Sequence, residues 1–309
     1  MYFQKIFQSN GISKEIYSLI NNEDVRPTAN LVISKCSAYE YLDNSKPNLE
    51  KLTTQYYETF SITGRFTGYF SNRTIGDFYN DLSSTYDQPT AILGGLNATT
   101  RKGKSDSENT NIITNPESLT AGTSSIIGKR GTENFGLALF KEDKFIGELS
   151  AVESMCHLLI QNKINSCIIS INDPISKKEN EKIELQIFPR QNTKINVTIE
   201  NNIPHIFITL NLHADIMTLD KDIEYETNDV LSQISNTAEE YLTNQFYEYL
   251  NIISTEFNSD IDNFHAKASS HFSNISDWEN FNWNEKFKDS VFDVNINVNV
   301  LSTMLITKT

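Results

Sequence analysis

No stretch of this chain approaches the roughly 18 consecutive apolar residues that a spanning helix needs. Met1 to Asn10 lacks the long apolar centre and the small-residue cleavage site of a signal peptide. The sequence as it stands therefore predicts a soluble chain. Positive charge is scarce as well: 26 Lys and Arg stand against 40 Asp and Glu, for a formal net charge of −14. Clustered cations that displace counterions from a nucleic-acid backbone are thus missing, and no nucleic-acid partner is expected. The same sign disfavours adhesion to an anionic lipid surface. Only three cysteines occur, Cys36, Cys156 and Cys167. Unclustered and odd in number, they read as reduced thiols rather than a disulfide framework.

Catalytic signatures are absent too. There is no Gly-x-x-x-x-Gly-Lys-Ser/Thr loop, no Gly-x-Gly-x-x-Gly behind a strand and no His-Glu-x-x-His. Gly128-Lys129-Arg130-Gly131 could touch a phosphate, but its flanks are linker-like and a surface loop is the simpler reading. Cys156 and His157 are neighbours on a predicted helix and point about 100° apart, whereas Cys-His catalysis needs the two in contact. A packed Cys156 and a partly exposed His157 are expected. His205 and His213 share a strand face too far apart for one metal, and the spacing of His265 and His271 does not put them on one helix face. No cofactor and no metal are expected.

What is present is aromatic and periodic. At 309 residues the chain exceeds the usual single-domain size, and its 18 Phe and 13 Tyr supplement a hydrophobic fraction of 38%. Ile12, Ile16, Leu19 and Ile20 recur at helical spacing up to the stop at Arg26-Pro27. Asn30 to Ile33 reads as a strand. Ser37-x-x-Glu40 opens a short helix, Asn48 can cap another over 49–61, and Thr74 with Asp77 starts a third. Ala91-Ile92-Leu93 closes this unit. Residues 97–133 then turn to Ser, Thr, Asn, Gly and Lys without periodicity, the composition of a flexible connection.

Beyond it, two apolar runs joined by Lys141-Glu142-Asp143-Lys144 predict a hairpin, and Ser150-Ala151-Val152-Glu153 has the spacing of a helix capping box. Alternating runs at 167–171, 183–187, 195–199 and 206–212 predict an antiparallel sheet with one wet face. A stripe from Val230 through Ile234, Ala238, Leu242, Phe246, Tyr249, Leu250 and Ile253 to Phe257 predicts one long helix across that sheet. From Asp222 to Ala266 there are ten acidic residues and no Lys or Arg. That run reads as a solvated face, or as a docking face for a basic partner. At the end, Phe292, Val294, Ile296, Val298 and Val300 alternate with Asp293, Asn295, Asn297 and Asn299, a strand wet on one side.

Gly136, Ala138, Phe140 and Lys141, then Lys144, Gly147 and Leu149, then Glu153 follow the order of the Ger(x)C family, the lipoprotein C subunits of nutrient germinant receptors in spore-forming bacteria. Asp260 with Phe264, and Trp283 with Phe287, continue the similarity. Gly11-Ile12, Glu23-Asp24-Val25-Arg26-Pro27 and Ala38 with Leu42 extend it to the first third. The chain thus resembles that family over most of its length. The resemblance implies an α+β protein in which an N-terminal mixed α/β unit precedes a C-terminal antiparallel sheet packed against a long helix. The expected divisions are an N-terminal domain over 1–97, truncated at its start, a linker over 98–133 and a GerAC-like domain over 134–309. It also implies a lipid anchor, whose modified cysteine would lie upstream of Met1, and a place on the outer face of the spore inner membrane. The implied partners are the integral-membrane A and B subunits.

The function expected is non-enzymatic, carried by protein-protein contacts of a rigid surface. Phe140, Trp283 and Phe287 read as core aromatics and Gly147 as a place where backbone approaches backbone or twists a strand; the alternative for Trp283 is a partly exposed interface residue. A second class of function stays open at this stage. A hydrolase or metal-dependent enzyme could assemble its site from scattered carboxylates such as Asp260, Asp262 and Glu153.

Overall fold

The computed structural model describes residues 10–45, 60–97, 119–124, 131–176, 181–217, 225 and 227–303. Within them two sheets share a continuous interior. The first has strand order β1-β2-β3-β4, from β1 (Val32–Ser34), β2 (Thr90–Leu96), β3 (Thr132–Lys141) and β4 (Lys144–Leu149). β1 runs parallel to β2, and the other pairings are antiparallel. The hairpin therefore pairs directly with β2, across the stretch expected as a flexible connection. Residues 98–118 and 125–130 of that stretch lie outside the described residues, as do most of Gly128-Lys129-Arg130-Gly131 and residues 49–59 of the expected helix over 49–61. The described part of the connection is packed: Ala121, Ser124, Thr132 and Glu133 are buried. Glu133 Oε1 accepts the N–H groups of Gly122 and Ser124 at 2.6 and 3.1 Å.

β3 reads Gly-Leu-Ala-Leu-Phe because both of its faces are covered. Ala138 and Phe140 meet Ile12 and, from the first helical segment α1 (Ser13–Ile20) that it precedes, Ile16, with Phe78 from α4 (Ile75–Ser83). Between them in sequence lie α2 (Ala38–Asn44) and α3 (Phe60–Thr67). Phe140 sits edge-on to both Phe78 and Phe145, at centroid distances of 5.0 and 5.8 Å, the geometry that aromatic quadrupoles favour. Leu137 and Leu139 point the other way, into the second core. α5 (Ala151–Ile160) links the two layers. Its N-terminus is the expected capping box, with Ser150 accepting from the Glu153 N–H and Glu153 accepting from the Ser150 N–H. Thr74 and Asp77 form the corresponding box on α4.

The second sheet runs β5-β6-β8-β7, from β5 (Cys167–Asn172), β6 (Lys182–Pro189), β7 (Lys194–Glu200) and β8 (Ile203–Ile216), all antiparallel as expected. β8 is long enough to take β7 beside residues 203–209 and β6 beside residues 212–216. β9 (Val291–Thr303) then joins β8 in parallel, with Ile206 opposite Phe292 and Leu212 opposite Val298. Its alternation is realised: Val294, Ile296, Val298 and Val300 are buried, and Asp293, Asn295, Asn297 and Asn299 are exposed.

The long helix α6 (Asn228–Asn251) packs beside β9 and buries Ile234, Ala238, Leu242, Phe246, Tyr249 and Leu250. It ends earlier than the stripe suggested, passing into a π-helical turn over Ile252–Glu256. One flank of α6 covers the free edge of β9. The N–H of Val298 donates to Glu239 Oε1 at 2.8 Å, while those of Val294 and Val300 reach the hydroxyls of Tyr247 and Ser235 at 3.3 Å each. Edge strands expose unpaired backbone that invites other chains, and here side chains of a helix occupy that backbone. The acidic run is accordingly divided. Asp229, Glu240, Glu248 and Glu256 are exposed. Glu239 faces β9, Asp260 and Asp262 are buried, and positions 222, 224 and 226 lie outside the described residues. Among the described residues no helix is long and apolar enough to cross a membrane.

Candidate functional site: a buried acidic node

The chain after the π turn folds through α7 (His265–Ala268), α8 (Ile275–Phe281) and α9 (Trp283–Lys286) before β9. It carries the residues whose order resembled the family. Their carboxylates are turned inward. Asp260, 3% exposed, accepts the Phe264 N–H at 3.0 Å on one oxygen. The other oxygen accepts the His265 N–H at 2.8 Å and the Trp283 indole N–H at 2.9 Å, with His265 Nδ1 3.2 Å away. Trp283 is fully buried and packs tilted against Phe287 at 5.9 Å, and Phe287 lies 6.2 Å from Phe264. Asp260, Phe264, Trp283 and Phe287 are thus one cluster, and the reading of Trp283 as a partly exposed interface residue is corrected by its complete burial.

Two residues on, Asp262 forms a second node. Its Oδ2 accepts the Tyr249 hydroxyl of α6 at 2.6 Å, and its Oδ1 lies 2.8 Å from Nδ1 of His157 on α5. Its backbone oxygen accepts Gln161 Nε2 at 2.7 Å. His157 was expected to be partly exposed, but only 3% of it is. The reason is that α5 is enclosed by the first sheet and α6, so that Ser154 through Ile160 are all buried and the helix has almost no wet face. Burial pushes the Tyr249 hydroxyl well above its ordinary pKa, reinforced by the adjacent Asp262 charge. Burial likewise raises the Cys156 thiol, with Glu153 adding to it, and drives Cys167 up to about 12. Neither thiol is poised as a nucleophile, because thiolate is the reactive form.

The hairpin meets these nodes through the other motif residues. Lys141 donates to the Asn258 carbonyl at 2.9 Å. A side chain at Gly147 would come within 2.3 Å of the Phe257 ring, so this glycine is the socket for Phe257. At Gly136 (φ +88) the backbone lies against the Leu149 carbonyl, in a conformation that favours glycine. Ala138, Phe140 and Leu149 are buried in the two cores, Glu153 is the capping-box acid, and Lys144 sits exposed at the hairpin turn. The 84–89 loop completes the brace. Tyr86 stacks on His265 at 5.7 Å, Asp87 lies 3.4 Å from His265 Nε2, and Gln88 accepts the Glu142 N–H.

Chemically, the arrangement holds segments together. Every oxygen of Asp260 and Asp262 faces protein donors, and Glu153 is committed to its helix cap with burial raising its pKa. Among the described residues no group of three or more His, Cys, Asp or Glu is placed to hold a metal ion. His205 and His213 lie apart along β8, where His213 stacks on Phe188 at 5.1 Å. Sequence reasoning missed His157, Tyr249 and His265 as members of the nodes. The unbroken apolar surround of His157 in α5 was the available signal.

The fold is thus a two-sheet α+β body braced by buried carboxylates. The family description "Spore germination B3/GerAC like, C-terminal" matches residues 135–304, and "Spore germination protein N-terminal domain" matches residues 3–96. The chain belongs to this GerAC-like family of spore germination proteins. Among solved structures, "Crystal Structure of the GerBC protein" is similar in fold. Its TM-score is 0.65 at 14% identity, covering 96% of this chain and 76% of that one. No curated protein matches the chain.

Proposed function

We propose that the chain is a non-enzymatic C subunit of a spore nutrient germinant receptor, acting through surface contacts with integral-membrane A and B subunits. Such a subunit sits on the outer face of the spore inner membrane, held by a lipid anchor. The observation that carries this reading is the commitment of the buried acids. Asp260 and Asp262 spend their hydrogen-bonding capacity on cross-bracing α5, α6 and the closing segment, and Lys141 ties the hairpin to the same segment, which supports a rigid body. A preorganised surface loses little freedom on association, and that favours contact over chemistry as its mode of action. Spores lacking the chain should lose nutrient-triggered germination, and unchanged germination rates would refute the receptor role. Calorimetric titration with Mg2+, Mn2+ and Zn2+ tests the enzymatic alternative. The contact reading expects no saturable heat, and a stoichiometric isotherm would favour the enzyme.

A further inference from the structure

A cleft of about 350 Å³ opens where the end of α3, residues Ser71 and Asn72, the first turn of α4 and the loop after α5 converge. It is polar, and two of the residues lining it, Ser71 and Asn72, carry buried polar atoms that are unused. Ser71 is 1% exposed, yet its Oγ has no hydrogen-bond partner, and Asn72 Oδ1 is likewise buried and unpaired. Buried polar atoms in native proteins are nearly always satisfied, and an orphan facing a cavity points to a guest that satisfies it. Neither the Asn nor the Ser belongs to the buried acidic nodes.

The walls also carry cations. Arg65 and Lys163 line the cleft, and neither side chain has an ion-pair or hydrogen-bond partner among the described residues. Asp77, the acid on the wall, has one oxygen engaged by the N–H and hydroxyl of Thr74 at 3.0 and 2.8 Å. Arg73 stands close enough that, after burial, its charge is the next influence holding the Lys163 pKa down; Arg73 itself is paired with Asp81. In a chain of net charge −14, two cations beside two polar atoms without partners among the described residues form a local exception, with Asp77 as the acid whose charge acts on Lys163. The volume lies at the small end of ligand pockets.

We infer that this cleft binds a small metabolite bearing an oxyanion, a carboxylate or phosphate, against Lys163 and Arg65. A hydroxyl or amine on the same molecule donates to Asn72 Oδ1, and Ser71 Oγ completes the shell. The guanidinium fork suits either oxyanion, since it offers two parallel N–H donors. The inference stands on the cleft alone and does not depend on the receptor reading.

Amide spectra of the full chain, titrated with L-malate, with inorganic phosphate and with chloride at matched ionic strength, test it. Saturable shifts at Ser71, Asn72 and Lys163 with a midpoint below about 5 mM are expected for malate or phosphate. Saturation by malate alone assigns a carboxylate ligand, and by phosphate alone a phosphate ligand. Lys163→Gln should raise the midpoint about tenfold, and Ser71→Ala several-fold, with the remaining peaks unmoved to show an intact fold. Shifts that chloride reproduces, that do not saturate with either probe, or that Lys163→Gln leaves untouched would overturn the inference.

Discussion

The indole N–H of Trp283 donates to the carboxylate of Asp260 at 2.9 Å, and both side chains are buried. The bond fastens α9 to the segment leaving α6. Asp260→Ala would strand the N–H groups of Phe264, His265 and Trp283 in the interior. Breaking a buried charged hydrogen-bond set of this kind costs roughly 3–5 kcal/mol. Urea unfolding, followed by Trp fluorescence, should show that loss, with Asp260→Asn less damaging because it retains one acceptor oxygen. A loss below about 1 kcal/mol for the alanine variant would mean that the node braces nothing.

Gly147 and Phe257 form the second testable contact. A methyl group at 147 would lie 2.3 Å from the ring, and overpacking of that kind costs about 1–3 kcal/mol. Gly147→Ala should therefore be destabilising. Adding Phe257→Leu should make the Gly147→Ala step less costly than it is beside Phe257, so a double-mutant cycle reports coupling. Strictly additive effects would contradict the socket.

The third prediction concerns the covered edge of β9. Glu239→Ala removes the acceptor of the Val298 N–H and should cost about 1–2 kcal/mol. Hydrogen exchange at Val298 should accelerate, and self-association at high concentration should rise as the edge becomes available. Unchanged exchange at that amide would show that the helix does not protect the strand.

These three contacts mark the boundary of what the sequence displays. Capping boxes such as Thr74 with Asp77 and Ser150 with Glu153 are legible because their partners lie three residues apart. The alternation of 292–300 shows a strand with one wet face, but nothing local says that it pairs in parallel with β8, more than 80 positions earlier. Asp260 and Trp283 stood out only through resemblance, and their bond could not be read because it closes a loop whose geometry depends on three short helices. His157 was misjudged for a related reason: a helix face is wet or dry according to what packs on it, and α5 is covered by elements from both ends of the chain. The polar cleft was invisible, since Ser71 and Lys163 come from distant segments.

Acid titration supplies a fourth test. Burial raises Glu133 above its ordinary value of 4.5, despite donors from Ser124, Gly122 and Asn97 that act to lower it. The folded chain therefore holds this proton to higher pH than the unfolded chain does. That stabilisation is complete below the unfolded value and is lost as pH rises through the raised folded one. The stability of wild type relative to Glu133→Gln should fall as pH climbs from 4.5 towards neutrality. A difference that stays flat or grows would contradict the shift.

Thiol labelling gives a fifth. Cys156 and Cys167 are buried with raised pKa values, and Cys36 is partly exposed. Under native conditions a thiol reagent should modify Cys36 alone, with the other two reacting only after denaturation. Rapid modification of Cys156 in the native chain would mean that the core around α5 opens.

The account's central claim is that this chain works by contact, as one subunit of a receptor. Affinity purification of the tagged chain from detergent-solubilised spore inner membranes tests it most directly. Recovery of the A and B subunits in fixed proportion to the chain is the predicted result. Recovery of the chain alone, from membranes in which both subunits are present and intact, would contradict it.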